Sequence, residues 1–177
     1  MEPTAVTWVV LGLLALGART GYDVKRVVDK SIRYFWAASY GQIYPELRRL
    51  EEAGWIEGEH APRGGRARRV YKLMPAGRKA LREWLHGTDT RIEMRDESLL
   101  RLFFADTLPR EEALRLVRGR REGYRQMHAY LRSLEEGAPS DRDDPPFVNL
   151  VFRWAVDYCE WGIEWCERQE RRLRRAA

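Results

Sequence analysis

The chain has 177 residues, of which 44% are hydrophobic and 11% aromatic, and its formal net charge is +5. This length holds one ordinary domain or two small ones, and the apolar content is ample for a packed core, so a disordered chain is excluded. Residues 1–90 contain 15 Lys and Arg against 10 Asp and Glu, whereas residues 91–177 contain 17 of each class. A basic half followed by a neutral half indicates a module that binds a polyanion, joined to a module with another task.

The apolar residues of the first half predict four helices and a two-stranded hairpin. These elements are, in chain order, a helix over 5–17, a helix from 21 to about 32 capped by Thr20, a helix from near Tyr40 that Gly54 ends, strands over 55–60 and 69–73 around a turn at 62–67, and a helix that Pro75 opens. The apolar side of that last helix is predicted to carry Leu81, Trp84 and Leu85.

Neither a membrane anchor nor a disulfide framework is predicted. The apolar run over 6–16 is shorter than the roughly 20 residues that span a bilayer. Glu2 rather than a basic cluster precedes this run, so a signal peptide is not expected either. Cys159 and Cys166 lie seven positions apart in one predicted helix, too far along its axis to bridge. We therefore expect a protein of the reducing cytoplasm.

The third predicted helix has the most informative sequence. Ser39 followed by Gln42 is a capping box, in which a hydroxyl and an amide satisfy free backbone groups at a helix start. Ile43, Leu47 and Leu50 then recur on one face and form an apolar stripe. This pattern predicts an amphipathic helix that packs its apolar side on the core.

The other side of this helix offers groups that contact base edges and phosphates in the major groove of duplex DNA. The predicted contacts, which point away from the core or lie on its shoulders, are Tyr40, Gln42, Tyr44, Pro45, Arg48 and Arg49. Pro45 removes a helical hydrogen bond, so we expect an irregular first turn. On the preceding helix, Tyr22 and Lys25 are the predicted phosphate contacts.

The predicted hairpin turn is rich in arginine. Four arginines between positions 63 and 69, two of them in the turn itself, lie around two glycines, and no acidic residue occurs between positions 61 and 73. Guanidinium groups on a glycine-rich hairpin suit phosphate contacts and insertion into a narrow minor groove. Of this turn and the strand that follows it, the predicted DNA contacts are Arg63, Gly64, Arg66 and Arg68.

These segments resemble the PadR family of bacterial transcriptional regulators. The matching segments are residues 11–14, 20–26, 41–47, 50–56, 70–73 and 76–78, within a region over 8–86 that matches well. The rest of the chain resembles the variable C-terminal domain of the family only loosely. Met74 stands where a threonine cap is common, which should cost the fourth helix about 1 kcal/mol. The resemblance implies a dimeric winged helix-turn-helix protein that binds an operator, usually as a repressor, and often releases it when a small molecule or another signal reaches the C-terminal region.

The predicted fold is mainly α with a small β-hairpin, a winged helix-turn-helix followed by a helical dimerisation domain. We assign residues 1–86 to the winged-helix DNA-binding domain, 87–94 to a linker, and 95–177 to a helical domain for dimerisation and possible effector binding. Helices are predicted over 95–105, 109–135 and 147–175, with a polar loop over 137–146.

The last predicted helix carries two apolar stripes. The first has the 4-3-4-3-4 spacing of a helix that packs along another helix, and its members are Phe147, Val151, Trp154, Tyr158, Trp161 and Trp165. The second lies beside it and comprises Val148, Phe152, Ala155, Cys159, Ile163 and Cys166. A homodimer interface along the first stripe is the favoured interpretation. The alternatives are the core of a monomer and a tryptophan-lined pocket for a small aromatic effector.

No catalytic or cofactor motif occurs. We find no nucleophile elbow, phosphate-binding glycine loop or dinucleotide fingerprint. The three histidines show no metal-ligand spacing. We therefore predict no enzyme, no metal and no cofactor, but a DNA-binding transcriptional regulator that acts as a repressor. The alternative is a winged-helix module that docks a protein through the same face, and salt-dependent binding to duplex DNA would separate the two.

Overall fold

The computed structural model describes residues 1–29, 40–61, 68–88, 95–136 and 146–175. The chain divides into two compact units, Met1–Arg91 and Ile92–Ala177. The elements of the first unit are α1 (Ala5–Ala15), α2 (Gly21–Val27), a 3₁₀ turn (Tyr40–Gln42), α3 (Ile43–Glu52), β1 (Ile56–Ala61), β2 (Arg68–Leu73) and α4 (Pro75–His86). Those of the second unit are α5 (Glu97–Phe103), a 3₁₀ turn (Ala105–Thr107), α6 (Arg110–Glu136) and α7 (Pro146–Arg175). The mainly helical fold with one hairpin is therefore confirmed.

Local signals account for the helix ends of the first unit. Thr20 caps α2 through a capping box with Asp23, as its hydroxyl accepts the N–H of that residue. Gly54 ends α3 in the left-handed conformation, with φ of 69°. The N–H of the next residue, Trp55, then donates to the carbonyl of Leu50 at 2.9 Å, so a free carbonyl of the last turn is satisfied. The predicted stop at Gly54 is thereby confirmed.

The start of α3 differs from the prediction. The α-helix begins at Ile43 rather than near Tyr40, after a 3₁₀ turn, and Gln42 makes no side-chain cap. This start places Pro45 third in the helix, where an N–H would have no helical partner in any case. The expected irregular first turn is confirmed. Ser39 and the predicted end of the second helix near residue 32 lie outside the described residues.

The core of the first unit lies between α1 and the elements around it. Its buried side chains come from all four helices and both strands, and include Val10, Leu11, Val24, Leu47, Leu50, Ile56, Leu73 and Leu81. The strands pair antiparallel, with Ile56 opposite Leu73 and Ala61 opposite Arg68.

On α4 the predicted apolar side is only partly correct. Leu85 is 66% exposed, and Trp84 lies at the surface with its ring stacked 5.2 Å from that of Trp8.

The second unit is built on the packing of α6 against α7. The ion pairs between them run in opposite order along the two helices, from Arg118 with Glu170 to Arg132 with Glu160, so the helices are antiparallel. Glu170 is buried and accepts hydrogen bonds from Arg118, Arg121 and Arg174 at 2.7, 2.9 and 2.8 Å. The bond from Arg118 contributes most to lowering the pKa of Glu170. This carboxylate stays ionised and holds the ends of both helices together.

The helix α5 is shorter than predicted. Asp96 caps it, because its carboxylate accepts the N–H of Leu99 at 3.1 Å, and the helix ends at Phe103 instead of residue 105. None of its residues is buried.

Across the parts of the chain that the structure describes, no helix combines the length and the apolar character needed to cross a bilayer.

The start of α4 offers a test of the uncapped position. Met74 precedes Pro75 with extended backbone and makes no side-chain hydrogen bond to the first turn. Threonine there would accept one of the free N–H groups, so we expect Met74→Thr to raise the free energy of unfolding by about 1 kcal/mol. Urea denaturation would measure this change, with Met74→Val as a control of the same shape. Equal stability of the two variants would contradict the prediction.

Candidate nucleic-acid interface and aromatic face

The helix α3 separates an apolar side from an exposed side, as predicted. Ile43, Leu47 and Leu50 are buried in the core of the first unit. The exposed residues of the other side are Gln42, Tyr44, Pro45 and Arg48. An amide, a phenol and a guanidinium group therefore lie together on one accessible surface.

The side chain of Arg49 is 41% exposed, but its guanidinium is engaged by other groups of the first unit. Its guanidinium donates to Glu46 Oε2 at 2.6 Å and to the carbonyl of Glu2 at 2.9 Å. Because both bonds are internal, the side chain is turned toward α1 and the chain start. The side chain of Tyr40 lies outside the described residues.

The helix α2 places two predicted contacts beside α3. Tyr22 is 66% exposed and Lys25 is exposed as well. The two helices approach closely at Gly21, where a Cβ atom would lie 2.6 Å from the ring of Tyr44. A side chain at this position would therefore have to displace the ring of Tyr44.

The hairpin is anchored by its own arginines. Arg68 pairs with Asp23 of α2 at 3.2 Å, and Arg69 pairs with Glu51 of α3 at 2.5 Å. The same Glu51 oxygen accepts the N–H of Gly58 in β1 at 3.1 Å. These bonds hold the hairpin to both helices that carry predicted contacts. The predicted wing residues Arg63, Gly64 and Arg66 lie outside the described residues.

The carboxylate of Asp23 serves two elements at once. Burial alone would raise the pKa of Asp23, but hydrogen bonds from Thr20 and Arg19 and the charge of Arg68 outweigh burial and lower the pKa. Asp23 therefore remains ionised, caps α2 and neutralises Arg68. Thr20, Asp23 and Arg68 form one polar cluster at the base of the hairpin.

Sequence reasoning did not identify the acidic partners of these arginines. Asp23 carried a signal, because Thr20 followed by Asp23 has the spacing of a capping box. Glu46 carried a weaker signal, since it is an acidic residue among the core-facing positions of α3. For Glu51 we find no local signal, because its partners come from the two strands.

The two stripes of α7 have different surroundings. The second stripe packs toward α6, with Ala155, Cys159 and Cys166 buried. The first stripe, which we call the aromatic face, lies largely at the surface of the second unit. Its most exposed members are Phe147 at 78%, Trp154 at 53% and Trp161 at 50%. The interpretation of this stripe as the core of a monomer is therefore wrong.

The rings of the aromatic face form a continuous stack. Ring centroids lie 5.4 Å apart for Trp154 and Tyr158, 5.9 Å for Tyr158 and Trp161, and 6.4 Å for Trp161 and Trp165. From α6, the ring of Tyr124 meets that of Tyr158 edge to face at 5.7 Å. Flat apolar rings with phenol groups at one border form a surface suited to other flat apolar groups.

A buried arginine lies behind this stack. Arg120 donates to Asp96 at 2.7 Å and to the Tyr124 hydroxyl at 2.5 Å, and its guanidinium lies 5.0 Å from the centre of the Tyr124 ring. Burial and the hydrogen bond with Tyr158 raise the pKa of Tyr124. The phenol therefore stays neutral.

Within the described parts of the chain, no group of His, Cys, Asp and Glu is placed to hold a metal ion.

Comparisons with known proteins identify two family matches. Residues 10–83 match the sequence profile described as "Transcriptional regulator PadR-like family". Residues 94–174 match the profile described as "Virulence activator alpha C-term". A curated relative, the "Negative transcriptional regulator PadR" of Bacillus subtilis, is 27% identical over 168 residues, which cover 90% of this chain and 92% of the relative.

The chain is also similar to solved structures of Bacillus subtilis PadR. The structure "in complex with operator DNA" superposes with a TM-score of 0.84 at 27% identity, over 96% of this chain and 99% of that one. The structure "in complex with p-coumaric acid" superposes with a TM-score of 0.77 at 26% identity, over the same shares of the two chains.

Proposed function

Because this chain belongs to the PadR-like family of transcriptional regulators, we propose that it binds a DNA operator as a homodimer and represses transcription until a small aromatic compound releases it. It is a transcriptional regulator with a winged helix, not an enzyme. We place its action in the cytoplasm, because the operator DNA that it is proposed to bind lies there.

The observation that carries the proposal is the exposed side of α3. Gln42, Tyr44, Pro45 and Arg48 lie on an accessible surface beside Tyr22 of α2. A similar chain, Bacillus subtilis PadR, has been solved with operator DNA. An amide and a guanidinium group can bond base edges in a major groove, and phenols and ammonium groups can bond phosphates.

We assign a role to each group. Gln42 and Arg48 read base edges, with Tyr44 and Pro45 packing against the groove and Tyr40 at its border. Tyr22 and Lys25 bond phosphates. Arg63 and Arg66 contact the backbone or the minor groove beside Gly64. Arg49 and Arg68 have internal acidic partners, so we assign them to holding α3 and the hairpin in place.

We propose that the aromatic face forms the dimer interface. A stack of half-exposed tryptophans on a single chain is costly in water, and a second copy would cover it by two-fold symmetry. A dimer would present two copies of α3 to half-sites about 34 Å apart, or a multiple of this distance.

Selection of duplexes from a random library, followed by gel-shift titration, tests the proposed DNA binding. We expect enrichment of a pseudo-palindrome and an affinity that falls steeply with salt, because counterions are released from phosphates. Random duplex of the same length is the control. If the protein bound selected and random duplexes equally well at low salt, sequence-specific DNA binding would be contradicted. The alternative, a module that docks a protein, would then be favoured.

A small aromatic effector is the second part of the proposal. Bacillus subtilis PadR has been solved with p-coumaric acid, and this chain presents a stack of aromatic rings beside Tyr124 and the buried Arg120. A ligand changes DNA affinity only through its different affinities for the two states of the protein. We therefore expect planar aromatic acids to quench tryptophan fluorescence and weaken operator binding over one concentration range. Quenching without any change in DNA affinity would contradict the effector role.

A further inference from the structure

A carboxylate is buried beneath α3. Glu46 is 4% exposed, although the helix that carries it lies at the surface. Its Oε1 accepts a hydrogen bond from the Thr7 hydroxyl at 2.5 Å, and its Oε2 accepts one from the Arg49 guanidinium at 2.6 Å. Removing an ionised carboxylate from water is costly unless its oxygens receive donors. Here each oxygen receives one.

The same network joins the start of the chain to α3. Thr7 has no exposed surface, and its hydroxyl accepts the N–H of Thr4 at 2.8 Å. That oxygen is therefore an acceptor toward Thr4 and a donor toward Glu46. Arg49 extends the network by donating to the carbonyl of Glu2 at 2.9 Å. The first turn of α1 and the middle of α3 thus share one set of directional bonds.

Glu46 lies opposite the side of α3 that is proposed to meet DNA. Tyr44 and Arg48 are two residues before and two residues after it, so their side chains leave the helix about 160° from that of Glu46. A rotation of α3 that moved Glu46 away from Thr7 would turn Tyr44 and Arg48 by the same angle. The position of the buried carboxylate therefore determines the direction of the exposed groups.

We propose that the network of Thr7, Glu46 and Arg49 positions α3 for base readout, and that it sets DNA specificity more than stability. This inference rests on the proposed function, namely sequence-specific binding to duplex DNA. Apolar contacts are not directional, so Ile43, Leu47 and Leu50 tolerate small rotations of the helix. A carboxylate that needs two donors at hydrogen-bond distance does not tolerate such rotations, because they would break its hydrogen bonds. Glu46 is a positioning residue, because it acts through the helix it belongs to.

The test compares three variants with the wild type. Thr7→Val/Glu46→Leu removes the buried polar pair and keeps its volume, Thr7→Val removes only the hydroxyl, and Thr7→Ser retains it. For each protein, titration gives the affinity for a duplex selected by the wild type and for a scrambled duplex of the same composition. The ratio of the two affinities is insensitive to partial unfolding, which weakens binding to both duplexes alike.

We expect the double variant to remain folded and to melt near the wild-type temperature, because well-packed apolar residues often replace a buried charged network without loss of stability, whereas the loss of the Thr7 acceptor for the N–H of Thr4 weakens the cap of α1. Its ratio of affinities should fall about tenfold, the size expected for one misplaced base contact. The ratio should also fall in Thr7→Val and stay at the wild-type level in Thr7→Ser.

Two results would overturn the inference. One is a stable double variant with a wild-type ratio, which would mean that apolar packing alone orients α3. The other is an equal ratio for Thr7→Val and Thr7→Ser, which remains informative even if the double variant does not fold. A wild-type protein without preference for any duplex would overturn the proposed function together with this inference. The two failures are therefore distinguishable.

Discussion

Replacement of Trp161 by glutamate is expected to give a folded monomer that no longer binds its operator. Trp161 is half exposed in the single chain, and its ring stacks beside those of Tyr158 at 5.9 Å and Trp165 at 6.4 Å on the aromatic face. A glutamate there stays in water as long as the chain is alone. Folding of the second unit should therefore survive the change.

The same substitution is expected to disrupt the proposed dimer. An unpaired carboxylate in a buried apolar interface costs several kcal/mol, and two-fold symmetry places it in the interface twice. Operator binding should be lost with the dimer, because two modules joined in one molecule bind two half-sites far more tightly than either module alone.

Sedimentation equilibrium, circular dichroism and gel shifts would measure assembly, folding and DNA binding of this variant. Trp161→Phe is the matched control, since it keeps an apolar ring and should remain dimeric. A dimeric Trp161→Glu protein with wild-type operator affinity would refute the interface.

Alanine at Gln42 or Arg48 is expected to cost about 1 to 3 kcal/mol of operator affinity and to relax the sequence preference. Arg48 is exposed on α3 and Gln42 on the 3₁₀ turn that leads into it, where both can reach base edges, and their loss would remove readout of individual base pairs. Alanine at Arg66 should instead weaken binding to all sequences alike and reduce the salt dependence, because phosphate contacts carry no sequence information.

Titrations against the selected duplex and a scrambled duplex at several salt concentrations would separate these effects. Glu52→Ala is the control, as Glu52 is exposed at the far end of α3, away from the proposed readout positions. Equal changes in specificity for the Arg48 and Arg66 variants would show that the roles assigned to the helix and the hairpin are wrong.

The sequence by itself determined the order and type of the elements. Thr20 before α2, Gly54 after α3 and Pro75 at the start of α4 each act within one helical turn, so their effect can be predicted without knowledge of the fold. The apolar periodicity of α3 likewise predicted which of its residues would be buried. Pro45 shows the limit of these local rules: the irregular turn it predicted is present over Tyr40–Gln42, but because the α-helix begins only at Ile43, Pro45 interrupts no helical hydrogen bond.

Only the tertiary structure decided how the charged groups are used. Glu46 meets a partner 39 residues away in Thr7, and Arg68 meets one 45 residues away in Asp23. No periodicity along the chain encodes such pairs, so Arg49 and Arg68 had the same sequence features as the arginines proposed to contact DNA. The two stripes of α7 posed a similar problem, since both are apolar and follow helical spacing. Packing against α6 buries Ala155, Cys159 and Cys166 of the second stripe and leaves the aromatic face largely exposed, and the ion pairs between Arg118 and Arg132 of α6 and Glu170 and Glu160 of α7 lie along the same contact.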